Sequence, residues 1–134
     1  MILAAFDRDD ALHKPARAIL SNGAVTLATL DLARYEVTNV AIRAWRAPQL
    51  VSPLLEAIER ISNDGGVLLS TNTLLARAAQ LAQEHTLSVY NAAYVAAAIQ
   101  RGATLVSCDV RDLVDKELAS TPGTAFPQTH PGKP

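Results

Sequence analysis

The stretch from Leu87 to Leu113, LSVYNAAYVAAAIQRGATLVSCDVRDL, most constrains how this chain can fold. Ser88 is a good helix N-cap, and Val89 to Gln100 is apolar on nearly every face, which describes a helix buried on most sides. Gly102 ends it. The run from Ala103 to Cys108 is too short for a helix and carries Thr104, Leu105 and Val106, so it reads as a buried strand of the parallel kind. Asp109 then stands at the carboxyl end of that strand, where open α/β sheets place their chemistry.

The rest of the chain repeats this alternation. The pattern predicts a helix over Asp10 to Leu20, capped by Asp9 or Asp10 with Pro15 in its early turns, and a second buried strand over Ala24 to Thr29 leading into Asp31 as a helix cap. A helix from Leu32 to Arg46 follows, with Glu36 a little over one turn inside, and Pro48 separates it from an amphipathic helix over Leu50 to Ile61. Asn63 to Gly66 is a turn, Val67 to Leu69 a third strand, and Thr73 to His85 a further helix. After Asp109 a short helix is expected from Val110 to Leu118. Short connections between alternating strands and helices imply a mostly parallel sheet flanked by helices in three layers. Met1 to Phe6 reads two ways: as a run lying just after the first strand of such a sheet, with Asp7 in a loop, or as that first strand itself, with Asp7 at its carboxyl end. The first register is the expected one.

At 134 residues and 49% hydrophobic content the chain supports one domain with one real core, assigned here to residues 1–118. Residues 119–134 hold four of the seven prolines and are expected to be a disordered tail, with an edge strand around Thr124 to Phe126 as the alternative. A net charge of −1 gives no general attraction for polyanions. Lys14, Arg17, Arg34, Arg43 and Arg46 bias the N-terminal half locally, as solvated faces or as an RNA path. The single cysteine, Cys108, excludes an internal disulfide, and no secretory or membrane-spanning segment is evident, which predicts a soluble cytoplasmic protein. The lone histidines His13, His85 and His130 have no partner at ligand spacing and read as structural or solvent-facing.

Two segments together resemble a known family. Leu87-Ser88-Val89-Tyr90-Asn91-Ala92-Ala93-Tyr94-Val95-Ala96, then Gly102 and Ala103 to Asp109, is similar to the second half of PIN-domain proteins, especially VapC-like toxins of prokaryotic toxin–antitoxin pairs. Leu32-Ala33-Arg34-Tyr35-Glu36-Val37-Thr38-Asn39-Val40 resembles the family's other motif, a glutamate on a helix followed by an apolar stretch and Asn. The resemblance runs from about Ile2 to Leu118. It implies a cluster of about four carboxylates that bind Mg²⁺ or Mn²⁺ for RNA cleavage, which suits hard oxygen ligands and metal-assisted phosphodiester chemistry. It also implies an antitoxin partner and a homodimer.

Carried over residue by residue, the resemblance makes Glu36 the helix glutamate, Asp109 the acid after the last strand and Asp112 a second acid of that turn, all three as metal ligands. Their plainer readings are a solvated Glu36 paired with Arg34 or Arg43, and Asp109 and Asp112 as helix caps. The chain departs from the family at Asn91, where Asp is usual: the amide keeps an oxygen and loses the charge, leaving Asn91 as a neutral fourth ligand. The first acid is missing in the expected register, in which case either a natural start upstream of Met1 supplies the strand that bears it or the short N-terminal run does double duty as strand. The rival reading is a catalytically lapsed PIN domain that binds protein or RNA. A generic nucleotide-binding domain is disfavoured because no Gly-rich phosphate loop is present.

Overall fold

The computed structural model describes residues 1–64 and 66–125. Its elements in order are α1 (Ile2–Ala5), α2 (His13–Ser21), β1 (Thr29–Leu30), α3 (Leu32–Asn39), α4 (Val51–Asp64), β2 (Val67–Leu68), α5 (Asn72–His85), α6 (Val89–Arg101) and α7 (Pro122–Ala125). Wider π turns occupy Val40–Ala44 and Val110–Val114, and a 3-10 turn covers Pro48–Leu50. The fold is α/β, rich in helix around a small parallel sheet in which Thr29 pairs with Val67 and Leu30 with Leu68.

The long helices form where local signals are strongest. Thr71 caps α5 by accepting from the Leu74 N–H at 3.2 Å. Ser88 caps α6 by accepting from the Asn91 N–H at 3.0 Å, and Gly102 ends α6 in the left-handed conformation at φ 61°. Alanines let α5 and α6 approach closely: Ala78 on one and Ala92, Ala93 and Ala96 on the other are buried with Leu30, Leu74 and Leu81 in one core cluster. A second cluster lies between α3 and α4, around Val37, Ala41, Leu54 and Ile58. The burial of α6 is not all-round, since Val89 and Ile99 are exposed. Among the described residues, no helix is long and apolar enough to cross a membrane.

The strands depart most from the sequence expectations. Ala24 to Thr29 shrinks to Thr29–Leu30 because the Asn22 side chain accepts from the Ala24 N–H at 3.0 Å and its carbonyl from the Val25 N–H at 3.1 Å, which bends the chain. Ala103 to Cys108 is not a strand. Val106 makes one parallel bridge to Ser120, with Ser107 N–H to Ser120 O at 3.0 Å and Ser120 N–H to Leu105 O at 2.9 Å. A strand needs a ladder of paired residues, and a single bridge does not make one. Cys108 packs instead against Ala4, Ala5 and Ala16 of α1 and α2.

At the amino end the strand register for Met1 to Phe6 does not hold. Ile2–Ala5 is a helical turn, with the Ala5 N–H bonded to Met1 O at 3.2 Å and the Asp7 N–H to Ala4 O at 3.3 Å, and Asp7 lies in the turn that follows. The α2 helix begins at His13, later than expected, because Asp10 accepts from the Leu12 N–H at 2.8 Å in a local turn of its own. The helix expected to run to Arg46 widens into a π turn at Val40, where the chain must extend at Ala47 to meet Pro48. The helix expected over Val110 to Leu118 is likewise a π turn ending at Val114.

Ser120 bridges Val106, and α7 packs on α2 with Pro122 buried, so the start of the proline-rich segment is folded against the body. Thr124 and Ala125 are helical rather than an edge strand. Phe126 to Pro134, the remainder of the expected tail, lie outside the described residues.

Candidate functional site

The first turn of α6 is the hub of the polar residues that the sequence singles out. Tyr90, Asn91 and Tyr94 share one face there, because residues three and four apart on a helix are neighbours. Asn91 reaches the loop after Val106, its amide Nδ2 lying 3.4 Å from Asp109 Oδ2. The other carboxylate oxygen of Asp109 accepts from the Asp112 N–H at 3.0 Å, and the Asp109 N–H donates to Ser107 Oγ at 3.0 Å. Asp109 therefore does cap the turn Val110–Val114 while also facing Asn91.

Glu36 approaches from α3. Its Oε2 accepts from the Tyr90 hydroxyl at 2.5 Å and from the Tyr94 hydroxyl at 3.5 Å. The two rings meet edge to face, with centroids 5.6 Å apart at 64°. Burial first, and then the hydrogen bond to Glu36, raises the Tyr90 hydroxyl pKa above its ordinary value. Burial likewise pushes Tyr94 up to about 12, with the Glu36 charge adding to the rise and the bond from Tyr90 opposing it. Arg34 pairs with Glu59 of α4 at 3.6 Å, not with Glu36 as the plainer reading of that glutamate had it.

Asn91 and Asp109 thus meet side chain to side chain, Asp112 joins them through its backbone N–H, and Glu36 is held by the tyrosines that flank Asn91 on α6. No group of three or more His, Cys, Asp or Glu side chains among the described residues is arranged to hold a metal ion. The donor set has the hard oxygens that Mg²⁺ or Mn²⁺ requires, with one oxygen of Glu36 engaged by the two phenols and one oxygen of Asp109 by its own turn.

Sequence reasoning missed Tyr90 and Tyr94 as partners of Glu36, although both stand in the quoted motif. Their spacing around Asn91 was the available signal. It also missed Asp31 and Ser70, which stand at the carboxyl ends of β1 and β2. Asp31 was expected to cap α3. Instead its carboxylate crosses to the next strand, accepting from Ser70 Oγ at 2.5 Å and the Ser70 N–H at 3.1 Å.

No curated protein matches the chain. The sequence matches the PIN domain over residues 1–116, nearly the whole of what is described above. The chain belongs to the PIN domain family, whose members are in general metal-dependent nucleases.

Proposed function

We propose that this chain is a VapC-like toxin, an endoribonuclease that hydrolyses RNA phosphodiesters with Mg²⁺ or Mn²⁺ and has a cognate antitoxin. Glu36, Asp109 and Asp112 are its metal-binding carboxylates, and Asn91 is a neutral fourth donor. The observation that carries the reading is the 3.4 Å approach of Asn91 to Asp109, which joins the helix motif to the acid after Val106. With an amide in place of a charge the site draws a divalent cation weakly, because Mg²⁺ sheds its water shell only for concentrated negative charge.

The test is cleavage of a labelled RNA with added Mn²⁺, Mg²⁺ or EDTA. Slow cutting by the natural chain, abolished by EDTA and by Asp109→Asn, is expected, with Asn91→Asp faster by about tenfold or more. Equal rates for the natural chain and Asn91→Asp would refute the weakened site, and cutting that survives EDTA would refute metal dependence. The amide at Asn91 and the engagement of Glu36 by tyrosines favour a second reading, a lapsed domain that binds RNA or protein without cutting. Binding of RNA with no cleavage by either chain is its signature.

A further inference from the structure

Glu36 and Asp109 are each bonded by neighbouring residues of one helix turn. Asn91 takes Asp109, and Tyr90, the residue before it, takes Glu36. The Tyr94 ring, half-buried and set edge to face against Tyr90, steadies that hydroxyl, and the Tyr94 hydroxyl lies on the same oxygen of Glu36. A phenol that donates to a carboxylate puts the positive end of its O–H where a cation would sit, and it takes a lone pair that a cation would use. Tyr90 is 39% exposed, so this bond is reachable from solvent and can open without unfolding the helix.

We infer that Tyr90 is a positioning residue for Glu36, its hydroxyl competing with a divalent cation for the Glu36 carboxylate. Cation binding then requires Glu36 to leave the phenol. The inference rests on the metal-dependent reading proposed above.

The test is calorimetric titration of the full chain with Mn²⁺ alone. Tyr90→Phe keeps the ring and its packing and removes only the hydroxyl. It is expected to bind Mn²⁺ about tenfold more tightly than the natural chain. Adding Glu36→Gln to both should erase that gain. In the natural chain Mn²⁺ should also shift the tyrosine near-ultraviolet spectrum, a change that Tyr90→Phe lacks. An affinity unchanged or lowered by Tyr90→Phe overturns the inference, and so does a gain that persists in the Glu36→Gln background. If the natural chain cuts RNA with Mn²⁺ and Tyr90→Phe binds the ion no better, the inference falls and the ribonuclease reading stands. If no variant binds Mn²⁺, both fall.

Discussion

Asp31 and Ser70 tie the ends of the two strands together, and their bond has a defined pH dependence. Burial alone would raise the Asp31 pKa; the Ser70 hydroxyl and N–H, the Leu32 N–H and the Arg34 charge outweigh it and hold the carboxyl below its ordinary value of 3.8. A carboxylate whose folded pKa is depressed contributes stability that is present above the unfolded pKa and lost as pH falls through the folded one. Ser70→Ala should therefore destabilise the protein by about 1–2 kcal/mol at neutral pH, the range for a hydrogen bond to a partly exposed charge. Thermal melts should show that gap closing as pH drops below 3.8. A gap that stays constant into strong acid would show that the loss is one of packing. At this scale the sequence carried Glu36, Asn91, Asp109 and Asp112 as motif positions. It did not carry their partners, because the bonds from Tyr90 to Glu36 and from Ser70 to Asp31 depend on how α3, α6 and the strand ends approach one another.

Helix α6 was the most legible element because its signals are local: Ser88 at one end, Gly102 at the other and alanines facing α5 between them. Gly102 tests this directly. Its φ of 61° is left-handed, and a Cβ built there meets nothing within 4 Å, so the cost of a side chain is backbone strain without a clash. Gly102→Ala should lose about 1–2 kcal/mol in urea denaturation, and Gly102→Asn should lose less because Asn tolerates this region better. Equal losses for both would point to a cause other than the backbone. The run Ala103 to Cys108 shows why the strands were less legible. Thr104, Leu105 and Val106 have the composition of a buried strand, but a strand exists only through its partners, and the single bridge from Val106 to Ser120 depends on a segment that the sequence presented as tail. The same logic applies to Met1 to Phe6, whose apolar run suits either a strand or a helix until the packing of α1 on α2 decides it.

At the scale of the whole molecule, the exposed apolar residues bear on assembly. Tyr35 is 80% exposed and Ile42 46% exposed, two turns apart along α3 and the π turn that continues it. Ala33, Val37 and Ala41 are buried in the core beneath them. An aromatic and a branched aliphatic side chain directed outward from one helical segment are costly to leave in water, since each fully buried large side chain returns about 1.5–3 kcal/mol. The homodimer that the family resemblance implies would cover this face, and the proposed antitoxin would compete for it or extend it. Light scattering of the purified chain should then report a dimer, and Tyr35→Glu with Ile42→Glu should convert it to monomer while circular dichroism stays unchanged. A natural chain that scatters as a monomer at high concentration, and that purifies with no bound partner, would count against both assemblies.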